Sequence, residues 1–241
     1  MSNTRHPEIG KSKEIMKEVE MLEKHLNFIY PPMCWRFSST EPNHALFPKP
    51  SAWHCLFQFI KDVSDGNQLC LSREASGCSG AATYLGFKKP GPNAGTFLFK
   101  KERFKKDMQL ANRFYQDINA TPAASKYAVL SRVDNLTDND FPEVIVLWVN
   151  ASTLTSLVTL ANFDRTTNNN VIIPFASGCQ SIWTIPYNEK HQDKPKAVVG
   201  LMDPSIRKLL PHDLVSFSVI TSRFIEMANN VPDSFIINHS S

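Results

Sequence analysis

The 241-residue chain has no run approaching the roughly eighteen uncharged apolar residues that a membrane span needs. Its first 26 residues are laced with Glu and Lys and lack the apolar core of a secretory signal, so the expected setting is the cytoplasm. Glycine is scarce at nine residues, and there is no P-loop, no dinucleotide-binding glycine fingerprint, no G-x-S-x-G and no H-E-x-x-H. Charge of one sign is also lacking. Lys and Arg total 26 against 23 acids, and a net charge of +3 implies neither a nucleic-acid nor a membrane partner. The five cysteines, Cys34, Cys55, Cys70, Cys78 and Cys179, form no C-x-x-C pair and no dense disulfide pattern, so each reads first as a free thiol. Four N-x-S/T sequons carry no weight without export.

What is present is a globular composition, 42% apolar and 20% charged, long enough to bury a core as one domain over 1–241. Ile15, Val19, Leu22, Leu26 and Ile29 recur at helical spacing, which predicts an amphipathic N-terminal helix within residues 1–30, stopped by Pro31-Pro32. Strands are expected at 33–38, 69–72, 127–133, 144–149, 171–175, 196–201 and 214–220. Helices are expected at 53–63, 79–85, 101–118, 152–163 and 222–229. The fold class is therefore α/β or mixed α+β, a mixed sheet flanked by helices.

Ala75-Ser76-Gly77-Cys78 recurs word for word as Ala176-Ser177-Gly178-Cys179, 101 residues later. At that offset seven of the 32 positions from 53 to 84 are identical, where about two are expected from average usage. This predicts an internal duplication of a helix–strand–turn–helix unit, 53–87 and 154–188. A small-residue turn that opens a helix leaves backbone N–H groups free for an anion, and a cysteine there has its thiolate favoured by the helix dipole. The candidate ligand-binding residues are Ser76, Gly77, Cys78, Ser177, Gly178, Cys179 and Arg207. The ligand expected is a small anionic molecule, in a cleft shared by the two turns.

At these residues the chain resembles the uncharacterised ArCR family, a prokaryotic domain of unknown function. The likeness rests on His54-Cys55-Leu56, on Cys78-Ser79-Gly80 through Tyr84-Leu85-Gly86-Phe87, on Glu143-Val144-Ile145-Val146, on Gly178-Cys179, and on Asp203 with Arg207. It runs from about Leu22 to Phe235. The resemblance implies a bacterial or archaeal origin and little chemistry, and it brings Cys55, Cys78 and Cys179 forward while leaving Cys34 and Cys70 aside. Those three thiols suggest an alternative, an iron–sulfur cluster or soft metal with one open position. Ser156 stands where the second unit would need a fourth thiol. A third reading makes Cys78 or Cys179 a nucleophile, although His54, His191 and His212 lie at no motif-like distance. The basic residues Lys88, Lys89, Lys100, Lys101, Arg103, Lys105 and Lys106 read as a solvated face, and Asp203 with Arg207 as a surface i,i+4 ion pair.

Overall fold

A computed structural model describes residues 11–49, 52–117 and 119–239. One eight-stranded mixed sheet runs through the protein, built from β1 (Tyr30–Ser38), β2 (Ala45–Leu46), β3 (Gln68–Leu71), β4 (Tyr127–Arg132), β5 (Pro142–Val149), β6 (Val171–Ile172), β7 (Ala197–Gly200) and β8 (Val215–Ile220). The strand order is β2-β3-β4-β1-β5-β8-β7-β6. The two outermost pairs, β2–β3 and β6–β7, are parallel. β1 and β5 meet antiparallel at the centre, with Trp35 opposite Val144 and Met33 opposite Val146. Burial on both sides explains why Val144 to Val149 reads as an unbroken apolar run.

Alternation along each strand feeds two cores. On one face Cys34, Ile145, Leu147, Val199 and Phe217 pack beneath α1 (Lys11–Glu23), α6 (Ala151–Phe163) and α8 (Thr221–Asn229). Ile15, Val19 and Leu22 form a buried stripe as their spacing predicts, but α1 ends at Glu23, so Leu26 and Ile29 lie beyond it, and Pro31-Pro32 belong to β1 and do not stop the helix. On the other face Met33, Trp35, Leu69, Leu130, Val146 and Trp148 carry a looser layer. That layer holds a 3-10 turn (Leu56–Phe59) running into α2 (Ile60–Ser64), then α3 (Ser79–Tyr84), a π-turn (Gln180–Thr184) and α7 (Ile185–Asn188). Outside it lies a hairpin of α4 (Ala94–Phe97), a π-turn (Leu98–Glu102) and α5 (Met108–Gln116).

The expected helix–strand–turn–helix duplication is not confirmed. An offset of 101 sets β3 on β6, yet β3 is an interior strand paired on both edges and β6 is the far edge of the sheet. The two turns also differ in backbone. Gly77 has φ +75 and Cys78 is extended, whereas Gly178 is not left-handed and Cys179 is helical. The order of the strands does follow one plan in each half, 2-3-4-1 and then 5-8-7-6 reversed across the β1–β5 pair. That plan matches β3 with β7 and not with β6. The strand expected at 171–175 ends at Ile172, two residues before Pro174, which has no N–H for a ladder.

Candidate functional site

The two Ala-Ser-Gly-Cys turns meet. The Tyr84 hydroxyl at the end of α3 lies 2.7 Å from the Ser177 hydroxyl, joining residues 93 apart in sequence. In the first turn the Ser76 hydroxyl donates to the Cys78 carbonyl, 3.2 Å, and the His54 N–H donates to the Gly77 carbonyl, 3.0 Å. Cys55 is thereby held beside Cys78. Gly77 needs its glycine, since its φ is +75 and a Cβ would sit 2.5 Å from the His54 carbonyl oxygen. In the second turn a Cβ on Gly178 would fall 2.5 Å from Phe57 and 2.6 Å from Ile206. That turn is thus pressed against the helix that follows Cys55. The thiols of Cys55, Cys78 and Cys179 are close enough for their charges to act on one another.

Burial opposes ionisation of all three thiols. Burial raises Cys179 well above its ordinary value and Cys55 to about 11, and it raises Cys78 as well. Cys78 caps α3 as its position suggests, its sulfur accepting the Ala81 N–H at 3.2 Å. That bond favours the thiolate, but desolvation outweighs it. Among the described residues no group of three His, Cys, Asp or Glu side chains is arranged to hold a metal ion.

Two carboxylates complete the cluster, and sequence reasoning places neither there. Asp203 is only 4% exposed. One of its oxygens accepts the Gly178 N–H at 3.1 Å, and the other accepts the Ser205 N–H and hydroxyl at 2.9 and 2.7 Å. The anion expected at the second turn is therefore the protein's own, and the neighbouring Ser177 N–H is taken by Gln180 Oε1 at 3.0 Å. Arg207 is not its ion-pair partner. The guanidinium instead clips the following loop, donating to the carbonyls of Leu214 (2.6 Å), Pro211 (2.9 Å) and His212. Asp-Pro-Ser is itself an N-cap signature, which is the available signal for Asp203. Glu102 comes from the outer hairpin, and Ser205 and Asp203 both act on its carboxyl. Tyr115 of α5 lies near enough to Tyr84 for the two phenols to act on one another, so two side chains of the hairpin reach toward the junction.

The backbone irregularities gather here too. Leu201 (φ 69) precedes Asp203 by two residues, and Arg103 (φ 56) follows Glu102. One π-turn ends at Glu102 and the other begins just after Cys179. Left-handed non-glycine residues and π-turns cost free energy and concentrate at functional sites. Asp203→Ala should leave the Gly178 and Ser205 donors unpaired and lower stability by about 2 kcal/mol, read as a shifted urea midpoint.

Beside the junction, Ala176 and Gln180 floor an open cleft of about 440 Å³ walled by Lys105, Arg113, Phe114 and Phe175. Lys105 Nζ stands 5.3 and 5.1 Å from the ring centres of Phe114 and Phe175. No curated protein and no solved structure matches the chain. The family model described as uncharacterised ArCR matches residues 21–230, and the chain belongs to that family.

Proposed function

We propose that the protein binds a small anionic molecule in the cleft between α5 and the second turn. The supporting observation is the company that Lys105 keeps. Its ammonium lies over two aromatic rings at the wall of a cavity of ligand size, with no acidic side chain in ion-pair contact among the described residues. Arg113 adds a second cation whose link to Asp117, at 3.8 Å on the surface, is weak. Glu189, an acid on the same wall, spends one carboxylate oxygen on the Lys196 N–H at 2.8 Å. Gln180 and Asn188 offer amides, and the Phe114 and Phe175 rings favour a ligand with a flat apolar part. Ser177, Gly178 and Cys179 support this floor through Ala176 and Gln180. Ser76, Gly77, Cys78 and Arg207 are not among its walls.

A prokaryotic, cytoplasmic setting accords with this reading. All five cysteines are free, and no described helix is long and apolar enough to cross a membrane. A thiol role for Cys55, Cys78 and Cys179 has less support because burial raises all three thiols, and a metal role because among the described residues no three His, Cys, Asp or Glu side chains are grouped to hold an ion.

Thermal-shift and calorimetric titrations with inorganic phosphate, benzoate and adenosine monophosphate test the proposal. At a hundredfold excess over Kd a ligand adds about 2.7 kcal/mol, several degrees of Tm for a chain of this size. The double substitution Lys105→Met with Arg113→Gln should abolish the shift while leaving the unliganded Tm within a degree or two. A shift that survives the double substitution, or none with any anion, overturns the reading.

A further inference from the structure

We infer that the basic surface of residues 87–106 docks on an anionic lipid bilayer, its lysine pairs meeting the headgroups and Phe97 entering the interface. The whole-chain charge of +3 conceals an asymmetry. Between 87 and 117 the chain carries eight Lys and Arg against three acids, and everything else holds 18 against 20. Three Phe-Lys-Lys triplets fall in that stretch, at 87–89, 99–101 and 104–106, and the sequence has none elsewhere.

The fold presents the lysines of these triplets. Phe87 is buried, Phe99 and Phe104 are half-buried, and the Phe104 ring lies 5.5 Å from that of Phe175. Lys88, Lys89, Lys100, Lys101 and Lys106 are exposed, and only Lys105 lies over rings in the cleft. The Phe104 N–H donates to the Leu98 carbonyl at 3.1 Å, which folds the second triplet against the third. Lys88 and Glu102 both act on the Cys78 thiol, so the first triplet lies at the same end of the molecule. None of the five exposed lysines, nor Arg103, is in an ion pair among the described residues. The nearby acids are engaged or withdrawn: Asp107 caps the Leu110 N–H at 2.9 Å, Asp117 faces Arg113, and Glu102 is half-buried. Six unpaired like charges on ordered backbone repel one another, and an anionic surface relieves that repulsion.

The apolar residues decide which anionic surface. Phe97, two residues before the second triplet, is 54% exposed, and Leu110, four after the third, is 44% exposed. Lysines around an exposed Phe and Leu are the composition of a segment that lies in a membrane interface. Each lysine near an anionic leaflet strengthens partition about fivefold. A nucleic acid is served less well. The rings of the triplets are withheld from base stacking, Leu110 has no flat face, and lysine lacks the bidentate fork of arginine. The contact is peripheral, since no described helix is long and apolar enough to cross a membrane.

Flotation of the full chain with vesicles of phosphatidylcholine alone, or of one-third phosphatidylglycerol, tests the inference. Binding should require phosphatidylglycerol and fall steeply from about 0.05 to 0.5 M salt. Replacing Lys88, Lys89, Lys100 and Lys101 together by Gln should weaken it more than about a hundredfold and leave Tm unchanged. Phe97→Ser should weaken it about tenfold with the same salt dependence. Equal flotation with both vesicles, no flotation, or a quadruple variant that floats like the wild type overturns the inference. So does release by inorganic phosphate at matched ionic strength, or tighter binding to single-stranded RNA than to the vesicles. If the quadruple variant fails to fold, Lys100→Gln with Lys101→Gln decides, at about twentyfold. The Lys105→Met, Arg113→Gln protein should still float, so failure of the cleft reading leaves this one standing.

Discussion

Gly86→Ala should cost about 3–5 kcal/mol, enough to leave much of the protein unfolded at 37 °C. Gly86 ends α3 with φ +79, where an L-residue pays roughly 1–2 kcal/mol for its Cβ. Contact adds the rest, because that Cβ would land against the Thr121 carbonyl oxygen and 2.7 Å from the Ala123 nitrogen. Backbone cannot swing aside as a side-chain tip can. The Ala123 N–H is also tied to the Gly86 carbonyl at 3.1 Å, and the Phe87 N–H closes the helix onto the Ala82 carbonyl at 2.9 Å. Gly66 supplies the control, with φ +103 but nothing within 4 Å of the place a Cβ would occupy. Gly66→Ala should lose only about 1 kcal/mol. Equal urea midpoints for the two variants would show that contact at Thr121 and Ala123 contributes nothing.

Gly86 also marks how far local sequence carries. Its role as a helix stop is legible, as are the buried stripe of α1, the apolar run of β5 and the capping cysteine at 78, because each is written within a few residues. The helix expected at 101–118 is not. Lys101, Glu102 and Lys105 all favour helix, yet the chain turns left-handed at Arg103 and restarts at Asp107, whose carboxylate caps Leu110 at 2.9 Å. Leu98 is buried and Asp203, far along the chain, acts on the Glu102 carboxyl, so neither constraint on that break is written nearby in the sequence.

The shared words of the two turns point to their meeting, but for a reason the fold does not confirm. Their duplication is not confirmed, and the 2.7 Å contact between Tyr84, at the end of α3, and Ser177 joins the two segments although the turns differ in backbone. A spacing of four suggests an ion pair between Asp203 and Arg207, and the structure gives each a different partner. No local pattern announces that a carboxylate will reach the Gly178 N–H across 25 residues.

Arg223→Ala is the other change of large effect, and it acts on the opposite face. Arg223 is 1% exposed and donates to both oxygens of Asp164 (2.6 and 2.7 Å), to Glu226 (2.8 Å) and to the Ala161 carbonyl (3.0 Å). It thereby ties α8 to the end of α6 where both cover the sheet. Removing one partner of a buried pair costs about 3–5 kcal/mol, and the lower end is expected because Asp164, 29% exposed by its side chain, can rehydrate. Lys13→Ala breaks the exposed Lys13–Asp138 pair at 2.9 Å and should cost under about 1 kcal/mol. The Arg223 guanidinium also pulls the Asp164 carboxyl down to about 2. A depressed carboxyl contributes stability that is present above its ordinary 3.8 and lost as the pH falls through 2. Wild-type Tm should therefore fall more steeply between pH 4 and pH 2 than that of Arg223→Ala. Parallel acid limbs would mean that the guanidinium packs in the interface without holding the charge of Asp164.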